Sequence, residues 1–428
     1  MEKNIQLDFE RVAMDWHGDQ HARFTLFDNV QFIYELALAR LEMEALGVEY
    51  QVTNGLREFV GLNQVDSNLL KRRLAYFERV GGELTDYHYI TQRNRTRSVN
   101  QYLTHWIYPY KGKFHPQMIR AILNIIGVQM GDSVLDPFVG SGTTAVEAQL
   151  LGINCVGIDI SPLSVLQSRV KTESIHVVQE VIEHECAIKE VTASPLFTVE
   201  RLHDAILAID DERVRNFYLM AELVTHSDVS RRRRQFVQSF NTNLDLMVSS
   251  VQDFKGVASA LNLHLGDVSI REANALGLPF NDNSMDGIVT SPPYSIALDY
   301  IENDKHAFKA LGHSLDGLRP RFIGLKGRGP QRVDLYNSDM RRCYEEMLRV
   351  LRPSRFCVIV IGDAHLEGKR IPTIQFTIDS CEEVGFEFVR RVPKIIFGLY
   401  NVMQTEEILF FRKLGVDKWQ NKGKKKTT

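Results

Sequence analysis

Residues 133–144 read SVLDPFVGSGTT, and this stretch decides the fold that the sequence predicts. Residues 133–136 form a short apolar run that ends in an acid, as expected of a buried strand, and residues 144–148 favour a helix. A second apolar run, residues 155–159, again ends in an acid. Strand, glycine-bearing loop, helix and strand in this order predict one βαβ unit of a parallel, nucleotide-binding sheet.

Strand and helix patterns continue to alternate on both sides of an interruption. Residues 101–165 and 261–415 carry this alternation and predict one doubly wound, Rossmann-like α/β domain. Residues 166–260 between them are polar and helical in pattern. We therefore expect a helical insertion that splits the α/β domain.

The two ends of the chain differ from this central domain. Residues 1–100 predict a separate helical unit, because residues 32–41 and 68–77 are apolar-rich segments with helical spacing. Residues 416–428 contain five lysines and predict a disordered basic tail.

Composition sets the broad class of protein. An apolar fraction of 44% and a charged fraction of 25% are typical of a globular protein, and no run of about 18 apolar residues predicts a membrane span. The first residues lack the apolar core of a secretion signal, so we expect a cytoplasmic protein. The five cysteines form no CxxC pair, which argues against a zinc site and against a disulfide framework. A net charge of −3 means that any surface for nucleic acid must be local.

The loop after the first strand has the features of a ligand site. Gly140 and Gly142 allow a tight turn at a helix N-terminus, where free N–H groups point outward. No Gly-Lys-Ser/Thr follows, and the GxGxxG spacing fails at Ala145, so neither a phosphate loop nor a dinucleotide fingerprint is present. Asp159 is placed to accept hydrogen bonds from two ribose hydroxyls, and Asp267, at the expected end of a third strand, from an adenine amine.

A second motif, TSPPY at residues 290–294, predicts methyl transfer to a base amine. The lone pair of an exocyclic amine is delocalised into the ring, which makes the nitrogen a poor nucleophile. The Ser291 hydroxyl and the Pro292 carbonyl can accept hydrogen bonds from its two N–H groups, which frees the lone pair. Pro293 stiffens the turn. Tyr294 offers a flat face to a base turned out of its helix.

Together these motifs resemble those of the amino-group DNA methyltransferases, the N6-adenine and N4-cytosine enzymes, over roughly residues 104–168 and 263–412. The resemblance implies a methyltransferase fold and S-adenosylmethionine (AdoMet) as the cofactor. It also implies two sets of site residues. The cofactor-binding candidates are Lys113, Phe114, His115, Asp136, Phe138, Gly140, Ser141, Gly142, Thr143, Asp159, Ile160 and Asp267, and the catalytic candidates are Ser291, Pro292, Pro293 and Tyr294.

The leading serine of the motif is associated, in that family, with N4-cytosine methylation. We therefore expect a site-specific enzyme that methylates the N4 of cytosine in double-stranded DNA with the target base flipped out, as part of a restriction system or alone. It would use no metal and act as a monomer or homodimer. Three alternatives stay open: N6-adenine methylation of DNA, base-amine methylation of RNA, and a non-catalytic regulator that keeps the fold. The AdoMet motif precedes the Ser-Pro-Pro-Tyr motif, whereas many N4-cytosine enzymes have the reverse order.

Clusters of basic residues suggest where nucleic acid binds. The preferred cluster lies in a glycine- and proline-rich stretch after the Ser-Pro-Pro-Tyr motif, which we expect to be a mobile clamp on the phosphates. A second cluster, residues 231–234, lies in the helical insertion, itself a possible DNA-recognition element, and a third is at residues 93–97. The preferred cluster consists of Arg319, Arg321, Lys326, Arg328 and Arg332.

Overall fold

The computed structural model describes residues 22–95, 100–294, 299–327, 329, 331–366, 369–397 and 403–415. The predicted basic tail, residues 416–428, lies outside these ranges. Within them, no helix combines the length and the apolar character that crossing a membrane requires.

The N-terminal region contains a β-sheet, so the prediction of a purely helical unit is wrong. Its five antiparallel strands pair in the order β2-β3-β1-β4-β5. No strand exceeds four residues, which is too short for alternation to be recognised in the sequence. The elements are β1 (Arg23–Leu26), α1 (Ile33–Ala45), β2 (Tyr50–Thr53), β3 (Glu58–Gly61), α2 (Ser67–Arg73), β4 (Phe77–Val80), β5 (Glu83–Leu84) and α3 (Asp86–Thr91).

Helix α2 ends earlier than its apolar pattern predicts. Leu74, Ala75 and Tyr76 are fully buried, and the chain then enters β4. Burial of these side chains in the core shared with the central domain overrides their helical spacing.

The central domain begins with the predicted βαβ unit and continues into the helical insertion. Pro116 opens the first helix, where its missing N–H costs nothing, and Ser161 caps α6 by accepting from the Ser164 N–H. The elements are α4 (Pro116–Ile125), β6 (Ser133–Asp136), α5 (Thr143–Leu150), β7 (Asn154–Asp159), α6 (Pro162–Glu173), α7 (Val178–Ala193), α8 (Val199–Leu207), α9 (Glu212–Arg232) and α10 (Phe236–Ala260).

Strands and helices alternate again after the insertion. The elements are β8 (Val268–Glu272), β9 (Met285–Thr290), α11 (Tyr300–Asn303), α12 (Lys305–Ala310), α13 (Leu315–Leu318), α14 (Gln331–Val350), β10 (Leu351–Gly362), β11 (Ala364–Leu366), β12 (Lys369–Ile371), α15 (Thr373–Val384), β13 (Phe386–Phe397) and β14 (Met403–Lys413).

One seven-stranded sheet organises this domain in the order β13-β14-β10-β9-β6-β7-β8. Strands β10, β9, β6, β7 and β8 are parallel, and β14 is antiparallel to both β10 and β13. The chain therefore forms the doubly wound α/β fold that the sequence predicts. From β6 the chain moves outward through β7 to β8 and then returns to β9 on the other side of β6. Ligands in such sheets bind at the carboxyl ends of the strands beside this reversal.

Candidate functional site

The glycine loop lies at the carboxyl end of β6 and is fixed from several directions. Gly140 and Gly142 have φ values of +48° and +77°, a region that favours glycine. The Gly140 N–H donates to Asp159 Oδ2 at 3.0 Å, and its carbonyl accepts from Gln167 Nε2 at 3.0 Å and Ser168 Oγ at 3.1 Å. A Cβ on Gly142 would lie 2.8 Å from Ser168 Oγ, so this loop requires glycine there.

Asp159, at the end of β7, keeps acceptor capacity for a ligand. Its two oxygens accept from the backbone N–H groups of Gly140, at 3.0 Å, and Ser161, at 2.9 Å. A carboxylate has about four acceptor positions, so two of them remain. Loss of hydration raises the pKa of Asp159 to about 6. The group is therefore an anion at neutral pH that faces a cavity.

A single cavity connects the two sequence motifs. Pro137 and Phe138 of the glycine loop line it together with Ser291 and Pro293 of the Ser-Pro-Pro-Tyr motif, and Asp159 lines the same cavity. The predicted cofactor side and the predicted amine side thus share one space.

The Ser-Pro-Pro-Tyr turn follows β9 and is held by side chains from other elements. Thr290 is fully buried and donates to Asp136 Oδ1 at 2.6 Å. The Pro293 carbonyl accepts from the Tyr336 hydroxyl at 2.8 Å. Ser291 Oγ donates to Tyr294 Oη at 3.2 Å. The turn is therefore anchored on both sides of the serine.

Several predicted cofactor residues support the loop instead of lining the cavity. Asp136 is buried, and its Oδ1 also accepts from the Phe138 N–H at 3.2 Å; burial raises the pKa of Asp136 to about 6. Ser141 and Thr143 are buried and their hydroxyls lie 3.2 Å apart. Ile160, by contrast, lines the cavity beside Asp159.

Lys113, Phe114 and His115 are cofactor-binding candidates from the sequence, but none of them lines the cavity. The Lys113 ammonium donates to the His105 carbonyl, and burial lowers the pKa of Lys113 to about 7. Burial likewise lowers the pKa of His115 to about 3. Both side chains are half-buried, and their contact with the cofactor stays a prediction.

The prediction for Asp267 is wrong. Strand β8 begins after this residue, and the Asp267 carbonyl accepts from the N–H of Cys155 near the start of β7. Asp267 therefore lies exposed at the amino edge of the sheet, opposite the cavity. Asn274, two residues beyond the end of β8, lines the cavity instead. Residues 264–267, HLGD, are the strand that the sequence predicts, whereas the actual strand, VSIRE, follows Asp267 and is partly polar.

The cavity also contains residues that the sequence analysis missed. Tyr110 and Tyr300 stack with centroids 6.1 Å apart, and both line the cavity with Asp304 and Phe308. Tyr110 belongs to the segment before the glycine loop, so its aromatic character was the available signal. The other three residues reach the cavity only because α11 and α12 fold over the carboxyl ends of the strands.

The predicted phosphate clamp is not an open cationic loop. The stretch from Arg319 to Arg332 follows α13 and contains a 3₁₀ turn and the start of α14, and its described cations already have partners within the protein. Arg328 lies outside the described residues. The pairs are Arg319 with Asp299 at 2.8 Å, Arg321 with Glu272 at 2.5 Å, Lys326 with Asp339 at 2.8 Å, and Arg332 with the Gly324 carbonyl at 2.8 Å.

Comparison with known proteins places this arrangement in a family. The family model described as RMKL-like, methyltransferase domain, matches residues 107–321, which is half of the chain and includes both the glycine loop and the Ser-Pro-Pro-Tyr turn. The chain belongs to the RMKL-like methyltransferase-domain family. Membership in this family implies AdoMet as the cofactor, and a cavity with a free carboxylate, an amide and aromatic walls fits its adenosine part.

Individual relatives of this RMKL-like chain match over shorter segments. Type II methyltransferase M.MjaII of Methanocaldococcus jannaschii is 35% identical over 136 residues, which are 30% of this chain and 24% of that protein. Type II methyltransferase M.BsoBI of Geobacillus stearothermophilus is 46% identical over 65 residues, 15% of this chain and 13% of the relative. A tRNA (guanine(10)-N2)-dimethyltransferase of Methanothermobacter thermautotrophicus is 45% identical over 51 residues, 12% and 15% of the two chains. The chain thus spans about a quarter or less of these curated relatives.

No group of three or more histidine, cysteine or acidic side chains that could hold a metal ion occurs among the residues that the structure describes.

Proposed function

We propose that this chain transfers a methyl group from AdoMet to the exocyclic amine of a nucleic-acid base, with the N4 of cytosine in DNA as the leading target. The observation that carries the proposal is the shared cavity, which Asp159 and Phe138 line together with Ser291 and Pro293. Methyl transfer needs the donor and the amine in one water-excluding space, because most of the rate enhancement comes from positioning.

The cavity walls suggest which residues hold the cofactor. The two remaining acceptor positions of Asp159 suit the ribose hydroxyls. Asn274 takes the role proposed for Asp267, because a side-chain amide can both donate to and accept from the edge of adenine. Phe138 and Phe308 supply apolar faces for the base. When bound, AdoMet supplies an electrophilic methyl group.

Ser291 and Pro292 act on the other reactant. Ser291 Oγ donates its own proton to Tyr294, so its lone pairs are left to accept an N–H of the target amine. The Pro292 carbonyl accepts the second N–H. These two hydrogen bonds draw the two N–H groups out of the ring plane. The nitrogen moves towards sp³ geometry, and its lone pair becomes available for attack. The base reaches this position by leaving its helical stack.

Two observations bear on the identity of the base. The leading serine supports cytosine N4 as the target, and the Type II methyltransferase relatives support DNA as the nucleic acid. The relative that acts on tRNA guanine N2 supports a second candidate, base-amine methylation of RNA. The same acceptor pair serves either amine, so the substrate must be decided by experiment.

The test uses the purified full chain with methyl-labelled AdoMet and, separately, duplex DNA and unmodified tRNA. Mass spectrometry of the released nucleosides should show labelled N4-methylcytosine from DNA. Labelled N6-methyladenine from DNA would identify adenine as the target base. Labelled N2-methylguanine from tRNA would identify RNA as the substrate. AdoMet binding with no labelled nucleoside from either nucleic acid would contradict catalysis and favour a regulatory protein.

A further inference from the structure

The hydroxyl of Tyr294 is not free within the Ser-Pro-Pro-Tyr turn. It donates to Glu406 Oε1 at 2.9 Å, while Ser291 Oγ donates to the same tyrosine oxygen at 3.2 Å. The other oxygen of Glu406 accepts from Lys394 Nζ at 2.8 Å. Four side chains therefore form one continuous series of hydrogen bonds that ends at the target-amine position.

The sheet brings the two distant segments together. Glu406 on β14 pairs with Gly362, the last residue of β10, and therefore lies at the carboxyl edge where Ser291 follows β9. Lys394 on β13 is the direct cross-strand partner of Glu406. The side chains of the pair are only 12% and 15% exposed, which limits screening by water. Their pairing is therefore a fixed part of this edge of the sheet.

We propose that Glu406, held by Lys394, is a positioning residue that sets the direction of the hydrogen bonds reaching the target amine; this inference rests on the proposed function. An ionised carboxylate can only accept, so Tyr294 must donate to Glu406. The tyrosine oxygen then offers its lone pair to the Ser291 proton. That proton points away from the amine, and the serine lone pairs are left for the amine.

The protonation of Tyr294 agrees with this direction. Burial, followed by the negative charge of Glu406, raises the pKa of Tyr294 well above its usual value. The tyrosine therefore keeps its proton and stays a donor. With Glu406→Gln, the side-chain amide could donate to the tyrosine oxygen. The direction of the hydrogen bonds from Ser291 through Tyr294 would then no longer be fixed.

The experiment measures kcat and KM for methyl transfer with Glu406→Gln. We expect kcat to fall about tenfold to a hundredfold. At metal sites, removing a residue that orients a metal ligand has an effect of this size. The KM for AdoMet should change by less than about twofold, because Glu406 does not line the cavity. Lys394→Met should lower kcat in the same direction, and Lys394→Arg, which keeps the cation, should restore most of it.

A double variant separates positioning from a general loss of structure. If Glu406 acts only through the tyrosine hydroxyl, then adding Glu406→Gln to Tyr294→Phe should change kcat by less than about twofold. The matched control is Glu387→Gln. Glu387 pairs with its cross-strand partner Arg412 at 2.6 Å on the same two strands, at the end away from the motif, and its loss should leave kcat unchanged.

Three results would overturn the inference: Glu406→Gln with wild-type kcat, losses that multiply in the double variant, or an equal loss in Glu387→Gln. In each case an active wild-type enzyme leaves the proposed function intact. A wild-type chain that methylates no base amine refutes the proposed function, and this inference falls with it.

Discussion

Thr290 Oγ1 lies 2.6 Å from Asp136 Oδ1 and donates to it across the ends of β9 and β6. These adjacent strands lie where the strand order of the sheet reverses. The glycine loop follows β6, and the Ser-Pro-Pro-Tyr turn follows β9. Both residues are buried, so little water competes for the bond. This contact fixes the two halves of the candidate site relative to each other.

Thr290→Val should therefore affect both stability and catalysis. The valine keeps the shape but leaves one buried carboxylate oxygen of Asp136 with a single backbone donor, which costs about 1–3 kcal/mol. Urea denaturation measures this loss, and a methyl-transfer assay should show reduced kcat. Thr377→Val is the control, because Thr377 is an equally buried threonine that bonds within α15 to the Thr373 carbonyl. Equal activity losses in both variants would contradict the role of the contact.

The pKa of Asp159 predicts how cofactor affinity depends on pH. With this pKa at about 6, the carboxylate is ionised and accepts ribose hydroxyls above pH 6, and it becomes protonated as the pH falls below 6. The dissociation constant for AdoMet should therefore rise between pH 7 and pH 5. Calorimetric titration of the wild type against Asp159→Asn measures this, since the variant should bind weakly and without a step near pH 6. A wild-type AdoMet affinity that does not change with pH would contradict the proposed contact between Asp159 and the ribose.

The local sequence of the βαβ unit was enough to predict its elements. The predicted strand at 133–136 coincides with β6, and the predicted strand at 155–159 differs from β7 by one residue. Parallel strands are buried on both faces, so their sequences are continuous apolar runs that can be recognised without partners. Gly140 and Gly142 between them have positive φ angles, a local requirement for glycine that the sequence itself displays.

Features that depend on distant contacts could not be predicted in this way. Asn274, which lines the cavity, was missed because the strand that precedes it is partly polar and has no recognisable strand pattern. Tyr300 reaches the cavity through the packing of α11 over the sheet. Glu406 is separated from Tyr294 by 112 residues and meets it only because β14 lies beside β10. Local patterns contain no information about such contacts.

Ser291→Ala tests the proposed acceptor directly. The alanine removes the oxygen that is proposed to accept from the amine, and the hydrogen bond that it loses runs to Tyr294 and not to the glycine loop. Methyl transfer should therefore fall by at least about 10²-fold, as when one preorganised polar group is removed from an active site. The AdoMet dissociation constant should stay within about twofold of the wild-type value. Retained activity would exclude Ser291 from the mechanism.

Arg319 tests whether the paired cations still contact nucleic acid. Its ion pair with Asp299 is exposed and is worth about 0–1 kcal/mol, so a phosphate can displace the carboxylate. Arg319→Ala should then reduce the slope of log affinity against log salt by about 0.9 for one lost phosphate contact. Arg213→Ala is the control, because Arg213 pairs with Asp211 at 2.9 Å with similar exposure. Identical slopes for the wild type and both variants would exclude Arg319 from the interface.

Glu147 on α5, the helix that the glycine loop opens, is the acceptor at the centre of a buried polar cluster. Its Oε1 lies 2.5 Å from the Tyr102 hydroxyl and 2.9 Å from His105 Nε2, and its Oε2 lies 3.6 Å from Arg120 Nη1. Each of these side chains is buried. Glu147→Ala would leave the Arg120 guanidinium without its carboxylate in the core, which costs about 3–5 kcal/mol.

Urea denaturation should show this loss as a lower midpoint with an unchanged slope. Because α5 begins at Thr143, directly after the glycine loop, AdoMet affinity should weaken in the same variant. Glu302→Ala provides the comparison, since Glu302 is an exposed partner of Lys305 and its loss should cost less than about 1 kcal/mol. A cost for Glu147→Ala as small as that of the exposed variant would show that the buried cluster does not hold α5 and its loop in place.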